Sequence, residues 1–75
     1  MIPETVDMTP VISGNIRAIG YSDINSRLYV SFSTGFDYCY FDVPRSVFDD
    51  FLAAPSKGSF LRDVIKANRY RYEKV

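Results

Sequence analysis

Residues Arg27–Phe41 read RLYVSFSTGFDYCYF, and the way this stretch pairs with itself decides the fold. Leu28, Val30 and Phe32 alternate with Tyr29, Ser31 and Ser33. A period of two, rich in aromatic and β-branched types, predicts a strand. Thr34-Gly35 follows, and Phe36, Tyr38 and Tyr40 then alternate with Asp37, Cys39 and Phe41. Glycine at the second turn position accepts the positive φ that a two-residue hairpin loop requires. With Ser33 opposite Phe36, Leu28 faces Phe41, Val30 faces Cys39 and Phe32 faces Asp37, while Tyr29 faces Tyr40 and Ser31 faces Tyr38. Directly opposed residues share a face of the sheet. One expected face is therefore Leu28, Val30, Phe32, Cys39 and Phe41, suited to a dry core. The other is Tyr29, Ser31, Phe36, Tyr38 and Tyr40, aromatic but carrying hydroxyls. A three-residue loop would move the pairing, and a slip of one residue exchanges the two faces of a strand.

Upstream, Ile16–Tyr21 (IRAIGY) reads as a first strand, with Gly20 as a bulge or close-approach site. Ile19 and Tyr21 inward is the preferred register; Ile16 and Ala18 inward is the other. Ser22–Ser26 (SDINS) is turn chemistry. Met1–Pro10, with two prolines and two acids, reads as an extended arm, and the domain boundary is expected near residue 15, giving an arm over 1–15 and one domain over 16–75. Downstream, Pro44 suits a helix start. Val47, Phe48, Phe51 and Leu52 then form one apolar stripe at helical spacing, and Pro55 ends it. Ser56 or Ser59 caps a second helix, in which Phe60, Leu61, Val64 and Ile65 repeat the stripe and Asn68 closes the end. The tail NRYRYEKV alternates again, as a short fourth strand or an extended end. Helices this short need a surface for their stripes. The expected architecture is α+β: a three-stranded antiparallel meander, with that short fourth C-terminal strand as an option, covered on one face by two short amphipathic helices. The tyrosine face looks away from the helices.

Seventy-five residues with 47% hydrophobic and 16% aromatic content suffice for one small packed domain. The formal net charge is zero, so no global field favours DNA or an anionic membrane. The charge is nevertheless segregated: residues 1–56 sum to −4 and residues 57–75 to +4. One cysteine and no histidine exclude an internal disulfide and a Cys/His metal cluster. MIPETVDM lacks the regions of a signal peptide and no apolar run approaches a membrane span. A cytoplasmic protein without membrane contact is expected.

A turn glycine, Tyr38-Cys39-Tyr40, Val43-Pro44 and then Ser56-x-Gly58 before an amphipathic helix, with Ile16 and Tyr21 upstream, resembles the KTSC family. This small domain is named for the C-terminus of some lysyl-tRNA synthetases and also occurs in stand-alone bacterial and phage proteins. The resemblance spans Ile16 to Tyr72, and Tyr38 and Tyr40 match the family's Tyr-x-Tyr. It implies the fold. It carries no established activity and no catalytic residue; the association with the synthetase suggests RNA binding.

The residues themselves point away from an enzyme. Without histidine, Cys39 has no ready base to activate it, and the expected register places it in the core. Asp42, Asp49 and Asp50 read as solvated carboxylates rather than a magnesium site, and the isolated glycines form no phosphate loop. No catalytic residue, metal or cofactor is expected. The candidate ligand-binding residues are Tyr29, Tyr38 and Tyr40, as rings on which unpaired bases stack, and Arg69 and Arg71, whose guanidinium groups bind phosphate bidentately. Lys57, Arg62, Lys66 and Lys74 accompany them with Tyr70 and Tyr72 interleaved, against the plainer reading of a solubilising helix face and a salt-bridged tail. Three readings of the tyrosine face stand: a module for single-stranded RNA or a nucleotide, a protein-interaction module such as a phage-type inhibitor or assembly factor, and a homodimer contact. In the expected layering the tyrosine face and the basic second helix lie on opposite sides of the sheet. A single site requires the C-terminal strand to bring Arg69 and Arg71 to the edge beside Tyr38 and Tyr40.

Overall fold

The computed structural model describes residues 2–75. Five strands form one antiparallel meander in sequence order: β1 (Met8–Pro10), β2 (Ile16–Ser22), β3 (Arg27–Phe32), β4 (Asp37–Tyr40) and β5 (Tyr72–Lys74). The expectation of three or four strands is corrected. β1 lies within the segment read as an arm, where Met8, Thr9 and Pro10 pair with Gly20, Ile19 and Ala18. The C-terminal alternation is a strand on β4, with Tyr38, Cys39 and Tyr40 opposite Lys74, Glu73 and Tyr72. Pro10 gives no ladder hydrogen bond, which suits its place on an edge strand.

The central hairpin forms, but one residue out of the expected register. Leu28, Tyr29, Val30 and Ser31 pair with Tyr40, Cys39, Tyr38 and Asp37. The cause is the loop. The Phe32 N–H donates to the Phe36 carbonyl, and the Gly35 N–H donates to the Phe32 carbonyl, each at 2.9 Å. The loop is thus Ser33-Thr34-Gly35, three residues ending in a glycine at φ +97°. This is the common hairpin in which a tight turn is followed by a left-handed residue. The extra loop residue turns β4 over relative to β3. Tyr38 and Tyr40 join Leu28 and Val30 on the helix-covered face, while Cys39 and Phe41 join Tyr29 on the other.

β2 carries the register shift at its start: Ile16 pairs with Phe32 and Ala18 with Ser31, leaving Arg17 as the extra residue of a bulge. The bulge lets Ile16 and Ile19, three apart, both point into the core, where each is fully buried. Ile19 and Tyr21 face inward as preferred. The Arg17 Nη2 donates to Ser31 Oγ at 3.0 Å on the opposite side.

Helix α1 (Arg45–Ala53) starts after Pro44, and α2 (Lys57–Phe60) after Ser56, whose hydroxyl accepts from the Ser59 N–H at 3.3 Å. From Leu61 the chain continues as a π-helix to Lys66. Asn68 closes this segment by donating from its side chain to the Val64 carbonyl, although Arg69 is the residue with positive φ, 56°. Phe48 and Phe51 from α1, with Leu61 and Ile65 from the π-helix, bury against Ile16, Ile19, Leu28, Val30, Tyr40 and Val43. Tyr21 stacks on Phe48 at 5.4 Å and its hydroxyl donates to the Val43 carbonyl. No helix among the described residues is long and apolar enough to cross a membrane.

The second face has a smaller core of Val6, Tyr29, Cys39 and Phe41, with Ile2 and Met8 packed against it. The chain before β1 thus covers the side of the sheet that the helices do not. Gly20 permits this. A Cβ there would lie 2.5 Å from Met8 Sδ and 2.9 Å from the Asp7 carbonyl oxygen. It is a close-approach glycine; the bulge is at Arg17.

Candidate functional site

The expected outward platform of Tyr29, Tyr38 and Tyr40 is not present. Tyr29 is 3% exposed, under the N-terminal segment, and Tyr38 and Tyr40 face the helices. The register removes the surface on which bases, a partner protein or a second copy were expected to dock. The same register removes the layering conflict, because it brings Tyr38 and Tyr40 to the side where the basic helical segment lies.

There the sheet runs past the end of the π-helix and leaves a cleft of about 450 Å³. Its floor is Phe32, Tyr38 and Tyr40, and Tyr70 and Tyr72 wall it toward the C-terminus. Lys66 and Arg69 stand at its rim. The rings form a connected series. Phe32 and Tyr38 meet edge-on at 5.5 Å, Tyr38 and Tyr72 edge-on at 6.0 Å, and Tyr40 and Tyr72 tilted at 5.6 Å. Edge and tilted contacts suit ring quadrupoles and leave π-faces unstacked. Tyr72, 61% exposed, offers the most accessible ring. Burial pushes the Tyr40 phenol above its usual range, and the neighbouring Tyr72 and Tyr38 phenols push it the same way. It therefore enters the cleft as a neutral hydroxyl. Neither Lys66 nor Arg69 joins an ion pair among the described residues, whereas Arg45 is held by Asp23 and Asp49, and Arg62 by Asp63.

Three of the five expected ligand residues, Tyr38, Tyr40 and Arg69, thus share one cleft. The other two, Tyr29 and Arg71, lie together on the opposite face of the sheet in a second depression with Arg27, Cys39, Phe41 and Glu73. Burial raises the Tyr29 phenol and the Cys39 thiol. Cys39, 2% exposed, is a small hydrophobe there. Of the remaining cleft residues, Lys66, Tyr70 and Tyr72 stood in the sequence only as companions of the candidate ligand residues, and Phe32 was not among them. Phe32 read as core and Lys66 as a solvated helix cation. For Tyr72 the alternation of RYRYEK was the available signal, since it sets Tyr72 and Arg71 on opposite faces of a strand.

The chain matches the KTSC domain family over residues 12–75. A protein of Tsukamurella paurometabola is 44% identical over 59 residues, covering 79% of this chain and 88% of that protein. An uncharacterized protein of Stutzerimonas stutzeri is 36% identical over 63 residues, covering 84% and 89%. The crystal structure of a KTSC domain protein from Yersinia pestis superposes with a TM-score of 0.87 at 35% identity, over 95% of this chain and 99% of that one. With sequence and fold agreeing along nearly its whole length, the chain belongs to the KTSC domain family.

Proposed function

We propose that this protein is a small non-catalytic binding module that takes a nucleotide unit, free or within single-stranded RNA, into the cleft between β4, β5 and the end of the π-helix. One observation carries the reading: five aromatic rings and two cations that join no ion pair among the described residues line a single cleft. Its volume lies within the range of about 300–1,000 Å³ typical of small-molecule sites. An exposed ring such as Tyr72 stacks on a base irrespective of sequence, and Lys66 and Arg69 supply charge for the phosphate. Tyr29 and Arg71 have no part in this cleft.

Calorimetric titration with short single-stranded RNAs and with mononucleotides tests it. Stacking on one ring contributes about 1–3 kcal/mol, so Tyr72→Ala is expected to weaken binding about tenfold or more. Tyr72 is largely exposed, so its loss leaves the fold intact. Arg69→Gln is expected to weaken binding and reduce its salt dependence. Flat titrations of the unaltered protein against both ligand classes would overturn the reading.

A further inference from the structure

On the other face of the sheet, Arg27 at the start of β3 and Arg71 just before β5 converge on one ring. Their guanidinium carbons lie 4.9 and 4.4 Å from the centroid of Phe41. One cation over a ring is favourable; a second beside it is repelled by the first unless an anion lies between them. Neither arginine forms an ion pair among the described residues. Both line the depression that also contains Tyr29 and Glu73. We propose that Arg27 and Arg71 form an oxyanion site for a phosphate group, separate from the aromatic cleft. Two planar donor forks that line one depression suit the bidentate recognition of a tetrahedral phosphate. The buried Tyr29 phenol lines the same depression. Glu73, directly opposite Cys39 in the ladder, brings a carboxylate side chain into this depression. It weakens the site by repulsion and restrains binding of stray anions.

The phosphate is either free or part of a nucleic-acid strand, and the site does not depend on the reading of the cleft. The test follows the arginine Nε–H resonances by NMR while inorganic phosphate, and separately a short single-stranded RNA, is titrated in at constant ionic strength. Saturable shifts of Arg27 and Arg71 with inorganic phosphate identify a site for the free ion; saturable shifts with RNA alone identify a phosphodiester site. Arg71→Gln is expected to weaken binding about tenfold or more, as for a lost charged hydrogen bond. Glu73→Gln is expected to strengthen it, by up to about fivefold. These opposite signs separate a phosphate site from general damage to the fold. Tyr72→Ala, which removes a ring of the cleft, is expected to leave the phosphate response unchanged. Shifts that grow linearly without saturating for both probes, or a Glu73→Gln variant that binds no more tightly, would overturn the proposal.

Discussion

Gly20 shows how one missing side chain holds two layers together. The chain before β1 crosses the sheet so closely that a methyl group at position 20 meets a sulfur, a backbone oxygen and a Val6 methyl, all at 3.0 Å or less. The Met8 thioether swings aside readily; the Asp7 carbonyl belongs to the backbone and does not. Gly20→Ala is therefore expected to destabilise the fold by about 1–3 kcal/mol, read as a lower urea midpoint. Adding Met8→Ala is expected to recover only part of the loss. Tyr40 makes a second residue-scale case. Burial raises Tyr40, Tyr29 and Cys39 above their ordinary values of 10.0, 10.0 and 9.0. The neutral forms are thus favoured in the folded state. Their contribution is fully present below about pH 9 and is lost as pH rises through the raised folded values. Urea midpoints measured from pH 8 to 11 are expected to fall. Tyr40→Phe keeps the ring and removes the titration, and is expected to flatten the fall above pH 10.

At the scale of elements, the stripes made the helices legible. Phe48, Phe51, Leu61 and Ile65 were expected inward and are buried, although Leu52 of the first stripe is exposed; a helical period tolerates small errors of boundary. Strand pairing has no such tolerance. Thr34-Gly35 fits a two-residue loop with the glycine second and a three-residue loop with the glycine last. Local sequence weakly separates these, and the choice inverts β4. What decides is tertiary: in the observed register Tyr40 is 4% exposed within the main core and Cys39 closes the smaller one. The aromatic cleft was illegible for the same reason, since the inversion is what sets Tyr38 beside Arg69. β1 was hidden by its proline, Pro10, and its length of three residues. Deleting Ser33 tests the loop. The shortened loop favours the alternative register, which would carry Tyr38 and Tyr40 out of the core. Loss of a large buried aromatic costs about 3–5 kcal/mol, a large part of a small domain's stability. The deletion variant is expected to lose its cooperative thermal transition by circular dichroism. Retention of the wild-type midpoint would contradict the role given to this loop.

Across the whole molecule, the +4 carried by residues 57–75 is less available than its count. Lys57 donates to the Leu52 and Ala54 carbonyls and caps the end of α1, Arg62 pairs with Asp63, and Lys74 lies over Phe36. Lys66 and Arg69 remain at the cleft, and Arg71 joins Arg27 behind the sheet. With zero net charge, no long-range field obscures these local groups, so the salt dependence of binding counts them. Each phosphate contact to a single strand contributes about −0.7 to the slope of log K against log salt. A ligand confined to the cleft is expected to give about −1.4, from Lys66 and Arg69. Arg71 and Tyr72 are neighbours on opposite faces at the start of β5, so a strand with a base on Tyr72 has a short path around this edge to Arg27 and Arg71. If it takes that path, the slope is expected to approach about −2.8 for a longer oligonucleotide and to return to about −1.4 when Arg27 and Arg71 are both replaced by glutamine. A slope that stays near −1.4 whatever the oligonucleotide length would place the whole ligand on the helical side of the sheet.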